Sequence, residues 1–241
     1  MLDVGAGTGL LALEARRRVG PSGRVVAVDV SQDALRECRR QAALDELVVP
    51  LHLVVGDALQ LPFHDNCFDA VLTRSVLIYL TAKLTAVREL RRVLRPGGRA
   101  SIFEPVNSAS DGYAWNWGLD LSSLQPAHDR IVAYLREHWE HENAMLGFDE
   151  RDLVGCFVEA GFASVRLSYE YRYDCDRRRP GEITASLRVR PNPTMLSYEE
   201  GARAILGDAA DDHLLRLSRL MLSQPLTGVM AAAHITARRS S

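Results

Sequence analysis

Three glycines at alternate positions near the start of the chain constrain its fold more than any other feature. The turn lies between a predicted buried strand over residues 1–4 and the helix-forming segment Leu10–Arg18, and its glycines are Gly5, Gly7 and Gly9. Because glycine has no Cβ, such a turn can be tight and can bring main-chain N–H groups close to a ligand. The positive end of the following helix points at the same place. A strand, a glycine turn and a helix in this order are typical of the nucleotide-binding corner of a doubly wound α/β sheet.

The spacing of these glycines distinguishes between the common nucleotide-binding loops. A dinucleotide fingerprint, G-x-G-x-x-G/A, counted from Gly5 needs glycine or alanine at the position where the chain has Leu10. A Walker loop is excluded because no Gly-Lys-Ser/Thr follows. Asp3 is also informative, since a carboxylate here repels a pyrophosphate and suits a ligand with a cationic amine. The loop therefore favours a nucleotide-like ligand that carries positive charge.

Composition limits the remaining function classes. The 241 residues carry a net charge of −2, which gives no overall basic surface and disfavours a nucleic-acid partner. The four cysteines are far apart and lack a C-x-x-C spacing, so we expect no disulfide framework and no metal, and a cytoplasmic location. No apolar run approaches the ~20 residues that a membrane-spanning helix needs, so no membrane partner is expected.

The segments after the glycine loop alternate between strand and helix patterns. Residues 24–30 are a β-branched run that contains Asp29, and Ser31 is a good N-cap for a helix that extends to about Leu44. Asp29 lies 20 positions beyond Gly9 (29 − 9), where an acid typically accepts hydrogen bonds from ribose hydroxyls; the alternative is a structural strand-end acid. Further strands are predicted at residues 51–55, 68–73, 100–105, 164–173 and 228–237. This alternation predicts a doubly wound, mostly parallel α/β sheet.

Four stretches in order resemble the motifs of class I S-adenosylmethionine-dependent methyltransferases. They are Leu-Asp-Val-Gly-Ala-Gly-Thr-Gly at residues 2–9, Asp29, Gly-Asp-Ala at residues 56–58 and Leu-Arg-Pro-Gly-Gly at residues 94–98. The last is most similar to the branch that acts on small molecules, quinones and sterols. The resemblance covers about residues 1–162. It implies a Rossmann-like methyltransferase fold with a seven-stranded sheet and a helical cap insertion, and S-adenosyl-L-methionine as the cofactor.

The resemblance also implies a set of cofactor-binding residues. Asp57 would accept a hydrogen bond from the adenine amine, and the main-chain N–H of Ala58 would face a ring nitrogen. In isolation Gly-Asp is a common turn, but its position after the third strand favours the binding role. The expected cofactor-binding residues are Asp3, Gly5, Ala6, Gly7, Gly9, Asp29, Val30, Gly56, Asp57, Ala58 and Arg74.

Two side chains are candidates for a role in catalysis. Tyr79 follows the fourth strand, beside the expected position of the transferable methyl group, and either shapes the substrate pocket or simply packs. Glu104, at the carboxyl end of the fifth strand, is a candidate general base or hydrogen-bond acceptor, with an exposed strand-end acid as the alternative. No Asn/Asp-Pro-Pro-Tyr/Phe follows the fourth strand, which argues against the branch that methylates amino groups of adenine or glutamine.

A single methyltransferase domain is predicted over residues 1–241. Its parts are a cofactor-binding half (1–105), an active-site cap (106–147) and C-terminal strands (148–241) with a basic arm and helical insertion (174–225). The cap includes a predicted helix over residues 129–143. His138 and His141 have helical spacing there but lack a third ligand, so a surface or packing role is favoured over a metal site.

The predicted function is methyl transfer from S-adenosylmethionine to an O, N or C atom of a small-molecule acceptor. The alternatives are a non-catalytic S-adenosylmethionine-binding protein or inactive truncated relative and, less favoured, a nicotinamide-dependent oxidoreductase, which Leu10 and Asp3 disfavour. The chain starts on its first strand, whereas the family usually has helices before it. We therefore expect an abridged chain that binds the cofactor more weakly than a relative with those helices. Neither the acceptor nor the oligomeric state is specified by the sequence.

Overall fold

The computed structural model of the chain describes residues 1–44, 49–109, 115–138, 142–190 and 195–240. The strands are β1 (Leu2–Val4), β2 (Val25–Asp29), β3 (Leu51–Val55), β4 (Phe68–Arg74), β5 (Leu94–Pro105), β6 (Phe162–Asp176) and β7 (Leu226–Arg239). The helices are α1 (Leu10–Arg18), α2 (Gln32–Ala43), α3 (Lys83–Val93), α4 (Ala127–Glu137), α5 (Glu142–Leu146), α6 (Glu150–Glu159), α7 (Pro180–Arg188), α8 (Tyr198–Leu206) and α9 (Ala210–Ser223). Within the described ranges, no helix combines the length and the apolar character needed to cross a membrane.

All seven strands form one sheet in the order β3-β2-β1-β4-β5-β7-β6. The pairs among β1 to β5 are parallel, and β7 is antiparallel to β5. The predicted seven-stranded, mostly parallel α/β sheet is therefore confirmed. The strand order reverses between β1 and β4, and doubly wound sheets bind ligands at such a switch point, outside the carboxyl ends of the strands.

The first helix packs closely on the sheet because its inward side chains are small. Ala12 and Ala15 of α1 are fully or almost fully buried in a cluster with Val25 and Ala27 of β2. Two alanines at i and i+3 lie on one face of a helix, and they allow its axis to approach the strands. This packing fixes the start of α1, and with it the glycine loop, at the end of β1.

The glycine-rich turn predicted before the fifth strand lies inside β5. Leu94 pairs with Phe68, residues 95–98 bulge out of the ladder, and regular pairing resumes at Arg99. Gly97 has a φ of 78°, the left-handed conformation that glycine adopts without strain. The turn is present as predicted, but the strand begins before it because Leu94 already pairs with β4.

The chain divides into two compact units. Unit 1 comprises Met1–Val106, Phe148–Glu170 and Ala232–Ser241, and unit 2 comprises Asn107–Gly147 and Tyr171–Ala231. Strands β6 and β7 contribute residues to both units. The carboxyl ends of the parallel strands β1 to β5, and the loops that follow β1 to β4, belong to unit 1.

The predicted basic arm, which starts at residue 174, contains regular structure within its described residues. Strand β6 continues to Asp176, and α7 occupies Pro180–Arg188. Proline suits the first position of a helix because its nitrogen carries no N–H there to be satisfied. Ile183 and Leu187, four residues apart, form the buried stripe of this helix. In the sequence, the many arginines around Ile183 and Leu187 made their helical spacing hard to recognise.

The helix predicted over residues 129–143 is shorter than expected, and a second helix, α5, follows it. His141 lies outside the described residues. His128 of α4 is buried, with Nδ1 2.8 Å from the hydroxyl of Tyr198, which lies 3.0 Å from Nε2 of His213. This buried polar bridge joins α4, α8 and α9 within unit 2.

Candidate active site

The parallel register brings four loops to one edge of the sheet. Val4 of β1 lies opposite Val28 of β2 and Thr73 of β4, and Asp29 lies opposite Val55 of β3. Because these strands run in the same direction, the residues that follow them start at the same level. The segments that meet there are the glycine loop and residues 29–31, 56–58 and 75–80.

Packing and backbone conformation explain all three glycines of the loop. Their φ angles are positive, 66° at Gly5, 53° at Gly7 and 99° at Gly9. A Cβ on Gly5 would lie 2.2 Å from Cγ2 of Val76, and a Cβ on Gly9 would lie 2.5 Å from Sγ of Cys38. A Cβ on Gly7 would have no neighbour within 4 Å. The loop is therefore tightly packed at its two ends and open at its centre.

Asp29 connects the glycine loop to the start of α2. Its Oδ2 accepts a hydrogen bond from the main-chain N–H of Gly7 (2.7 Å), and its Oδ1 accepts one from the N–H of Ser31 (2.8 Å). A carboxylate oxygen can accept about two hydrogen bonds, so each oxygen retains capacity for a further donor. The half-buried side chain can therefore orient the loop and also bind a ligand hydroxyl.

Asp57 lies exposed in the loop after β3. Its Oδ1 accepts a hydrogen bond from the N–H of Leu59 (2.8 Å), which closes a short turn. The preceding Gly56 is tightly enclosed, because a Cβ there would lie 2.8 Å from Cδ of Pro62. Ala58 is buried. The turn thus fixes the position of the Asp57 carboxylate and leaves Oδ2 available to a donor.

The segment after β4 turns sharply over the end of that strand. Ser75 has a φ of 56°, an uncommon conformation for a residue other than glycine, and its N–H donates to the carbonyl of Phe103 (2.8 Å). One 3-10 turn follows over Leu77–Tyr79, and Tyr79 is half-buried. Strained backbone of this kind often occurs at binding and catalytic sites.

These loops line one cavity of about 270 Å³ in unit 1. The residues around it are Gly5, Asp29, Val30, Gly56, Asp57, Ala58, Ser75, Val76, Tyr79 and Leu80. Most of them were predicted as site residues from the sequence. Ser75, Val76 and Leu80 were not, and their position just after β4 was the only signal that pointed to them.

Six predicted site residues do not line this cavity, and they are Asp3, Ala6, Gly7, Gly9, Arg74 and Glu104. Ala6, Gly7 and Gly9 belong to the glycine loop, which borders the cavity through Gly5. The guanidinium of Arg74 is exposed and lies 5.3 Å from the centre of the Phe103 ring. That cation–π contact involves no lining residue, so a cofactor role for Arg74 stays a prediction.

Glu104 is completely buried and accepts three main-chain hydrogen bonds. Oε1 accepts from the N–H groups of Val76 and Leu77, and Oε2 from that of Ile78, each at 3.0 Å. Burial raises the pKa of this carboxyl to about 7, although these three donors and the charge of Lys83 act in the opposite direction. The side chain anchors the segment after β4 and is not exposed to the cavity.

Asp3 is buried at the centre of β1, beside the glycine loop. Burial, and then the charge of Asp29, raise the pKa of its carboxyl to about 7, while a main-chain hydrogen bond from Ala12 lowers it. Its Oδ2 has no hydrogen-bond partner among the described residues. A buried polar atom without a partner is costly, so this oxygen marks a place where a ligand or water donor would be stabilised.

Comparison with known proteins shows the family to which the chain belongs. A family model described as a methyltransferase domain matches residues 2–102. The demethylmenaquinone methyltransferase of Staphylococcus aureus is 32% identical over 168 residues, which are 69% of this chain and 68% of that protein. The chain belongs to the class I S-adenosylmethionine-dependent methyltransferases. The name of that relative agrees with the branch acting on small molecules, quinones and sterols that the Leu-Arg-Pro-Gly-Gly stretch resembles.

Solved structures share the fold of this methyltransferase over its whole length. A Bacillus halodurans protein assigned to the methyltransferases has a TM-score of 0.61 and 20% identity, covering 100% of this chain and 92% of that one. The YcgJ protein of Bacillus subtilis has a TM-score of 0.58 and 17% identity, covering 100% and 91%. At these identities the likeness concerns the fold alone, and it confirms the Rossmann-like architecture.

Membership of the family implies that this enzyme uses S-adenosylmethionine, and its residues fit that cofactor. The cofactor carries positive charge on its sulfur and on its amino group. The cavity is lined by the carboxylates of Asp29 and Asp57, and the residues described around it include no lysine or arginine. The open centre of the glycine loop and the unpaired oxygen of Asp3 provide further room and a further acceptor. A pyrophosphate would instead be repelled, because the charged side chains described around the cavity are all negative.

Proposed function

We propose that this methyltransferase methylates a small aromatic molecule that carries hydroxyl groups, of which a reduced quinone is the leading example. The observation that carries the proposal is the shared cavity, which both the expected cofactor residues and Tyr79 line. Val30, Val76 and Leu80 add apolar surface suited to flat rings. The name of the Staphylococcus aureus relative, a demethylmenaquinone methyltransferase, supports the quinone class.

Two acidic side chains and one main-chain donor are proposed to hold the nucleoside part of the cofactor. Asp29 accepts hydrogen bonds from the ribose hydroxyls with the capacity that Gly7 and Ser31 leave free. Asp57 accepts a hydrogen bond from the adenine amine through Oδ2, and the N–H of Ala58 faces the ring. When bound, the cofactor would supply a methyl group activated by the positive charge on its sulfur, and the S–CH3 bond would break as the bond to the acceptor forms, leaving S-adenosylhomocysteine.

Tyr79 is the proposed acceptor-binding group. It carries the one phenol among the residues described around the cavity. Burial, and then the charge of Glu104, raise the pKa of this phenol, so it stays protonated near neutral pH. A protonated phenol can donate a hydrogen bond to an acceptor oxygen and hold the acceptor in line with the methyl group, which contributes through orientation.

Glu104 is proposed as a positioning residue and not as a general base. A base must approach the proton it removes to within about 3 Å, or act through one water. Glu104 is fully buried, and both of its oxygens accept main-chain hydrogen bonds. The residues that donate to Glu104, Val76 to Ile78, directly precede Tyr79. Glu104 therefore affects turnover by fixing the position of the Tyr79 side chain. A phenolate has already lost its proton to solvent and needs no base to attack the methyl group, and methylation at a ring carbon releases the ring proton to solvent after the new bond has formed.

Methyl transfer to a panel of acceptors tests the proposed acceptor class. The enzyme is incubated with methyl-labelled S-adenosylmethionine and with reduced quinones, phenols or amines of similar size, and labelled product is extracted. We expect product with the quinols, with the label on the ring or on its oxygen. Product with amines alone would contradict the acceptor class.

A tyrosine variant tests the role of the cavity phenol. Tyr79→Phe removes one hydrogen-bond donor, and we expect kcat/KM for the methylated acceptor to fall about 3- to 10-fold. The dissociation constant for S-adenosylhomocysteine should be unchanged, since the phenyl ring still packs against the cavity. Tyr171→Phe is the matched control, because Tyr171 is exposed and belongs to unit 2. Equal kinetics of the two variants would remove Tyr79 from the proposal.

A further inference from the structure

A second cavity of unit 1 lies on strands β5, β6 and β7. Its volume is about 400 Å³, and its polar lining consists of Arg99, Arg166, Arg238, Ser101, Ser164 and Thr236. None of these residues lines the methyl-transfer cavity. The residues described in its lining include no carboxylate. Because the whole chain has a net charge of −2, three exposed arginines around one cavity form a local exception.

The strand register forces two of these arginines together. Strands β5 and β7 are antiparallel, with Arg99 directly opposite Arg238 and Ser101 directly opposite Thr236. Directly opposed side chains project from the same face with Cβ atoms about 5 Å apart, so like charges at such positions destabilise a sheet. Arg166 lies on β6, the neighbour of β7, and adds a third positive charge to the cavity. The repulsion between these positive charges destabilises the folded state, and a bound anion would offset it.

No acidic side chain in the described part of the chain offsets these charges. Arg99, Arg166 and Arg238 form neither an ion pair nor a side-chain hydrogen bond with any described residue. Arg95, which precedes Arg99 on the same strand, is by contrast paired with Asp69 at 2.7 Å. Arg95 therefore has an acidic partner, whereas the three arginines that line the cavity have none among the described residues.

Hydroxyl groups complete the polar lining. Ser164 has a φ of 53° near the start of β6, which is an uncommon conformation for a residue other than glycine. It lines the cavity together with Ser101 and Thr236. Guanidinium groups bind phosphate oxygens through paired N–H donors, and hydroxyls can add single hydrogen bonds. We propose that this cavity binds a phosphate group, either as the free ion or as part of a phosphorylated small molecule or lipid headgroup.

The proposed phosphate site is separate from the methyl-transfer site. Arg99 precedes Glu104 by five positions on β5 (104 − 99), which corresponds to about 17 Å of strand. A bound phosphate would therefore not contact the reacting atoms. Its expected effect is to stabilise the folded enzyme by offsetting the repulsion between Arg99 and Arg238.

Thermal unfolding with inorganic phosphate tests this proposal. Phosphate is exchanged for chloride at constant ionic strength, and we expect the Tm of the wild-type enzyme to rise by about 3 °C at a phosphate concentration ~10 times the Kd. Arg99→Gln and Arg238→Gln should abolish this response. Without phosphate, each should leave Tm unchanged or raise it, because the like-charge pair is gone. Arg219→Gln is the matched control, since Arg219 is an exposed arginine of α9 outside the cavity, and it should keep the wild-type response.

Lipid vesicles distinguish the source of the phosphate group. Sedimentation is measured with phosphatidylcholine vesicles that contain or lack phosphatidylglycerol, for the wild type and the Arg238→Gln and Arg219→Gln variants. A response to the free ion that the cavity variants lose supports the proposal with a soluble source. Binding to the anionic vesicles that Arg238→Gln loses and Arg219→Gln keeps supports it with a lipid source. No response to either probe, or equal responses in all variants, would overturn it.

Discussion

The carboxyl ends of β2 and β5 each carry an acidic side chain, Asp29 and Glu104, and the surroundings of the two differ. Asp29 is half-buried, accepts one main-chain N–H on each oxygen and lines the cavity. Glu104 is fully buried, and its two oxygens accept three main-chain N–H groups. The first carboxylate retains acceptor capacity beside the cavity, whereas the second is engaged by the protein itself.

The difference arises from the path of the chain over each strand end. After Asp29 the chain passes directly through Ser31 into α2, and among the described residues the Gly7 and Ser31 N–H groups alone donate to the carboxylate. Above β5, the segment that starts at Ser75 turns across the strand end and directs successive N–H groups at Glu104. An acid at the end of a parallel strand is therefore ambiguous, and the number of main-chain donors around it separates a ligand-binding role from a positioning role.

Replacing Glu104 by leucine should have the largest effect on stability. The change leaves three buried N–H groups without an acceptor, and we expect the free energy of unfolding to fall by about 4 kcal/mol. Urea denaturation measures this loss. Glu159→Leu is the control, because Glu159 is an exposed residue of α6. A Glu104→Leu variant as stable as the wild type would contradict the positioning role.

The pH dependence of stability isolates the same carboxyl. The pKa of this carboxyl is raised from 4.5 to about 7 in the folded chain, so the folded state favours its protonated form. The resulting contribution to the free energy of unfolding is fully present below pH 4.5 and is lost as the pH rises to about 7. By linkage this loss is about 3 kcal/mol. Glu104→Gln cannot ionise, so its unfolding free energy should fall less over this range than that of the wild type. Parallel pH profiles of the two proteins would show that Glu104 does not titrate as described.

Replacing Asp29 by asparagine should affect binding more than stability. Asparagine retains one acceptor oxygen but loses the charge that the ribose hydroxyls would bind. We expect the Kd for S-adenosylhomocysteine, measured by calorimetry, to rise about 100-fold, or roughly 3 kcal/mol. Asp33→Asn, an exposed acid in the first turn of α2, should bind as the wild type does. If Asp29→Asn bound as tightly as this control, the contrast between the two strand-end acids would fail.

Asp57→Asn should have a smaller effect than the changes at Glu104 and Asp29. Asp57 is exposed and is expected to accept one hydrogen bond from the adenine amine, so its loss should weaken S-adenosylhomocysteine binding about tenfold. Inosine-containing S-adenosylhomocysteine, which lacks that amine, provides the matched ligand control. It should bind the wild type and the variant equally. A difference as large as that seen with the adenine ligand would assign Asp57 another role.

Much of the sheet and the cofactor side of the cavity could be predicted because their signals are local. Leu10–Arg18 and Leu51–Val55 have the predicted bounds, since each is a continuous run between clear turns. The cavity-lining residues Asp29 and Asp57 were identified because each directly follows or ends a recognisable strand. Interactions between neighbours in the sequence are enough to specify these features.

The remaining features depend on residues that are far apart in the sequence. The donors of Glu104 lie 26 to 28 positions before it, so its burial could not be read from the strand that carries it. Gly5 needs to be glycine because Val76 packs against it, and no local pattern shows that contact. The opposition of Arg99 and Arg238 follows only from the register of β5 and β7. Contacts of this kind can be identified only from the folded structure.

The central claim, that the loops at the carboxyl edge bind S-adenosylmethionine through Asp29 and Asp57, is tested most directly by a crystal structure with S-adenosylhomocysteine. The account predicts the ribose hydroxyls within hydrogen-bond distance of the Asp29 carboxylate, the adenine amine on Asp57 Oδ2, and the Glu104 carboxylate still on the N–H groups of residues 76–78. A ligand bound elsewhere, or one that contacts Glu104 instead of Asp29, would contradict it.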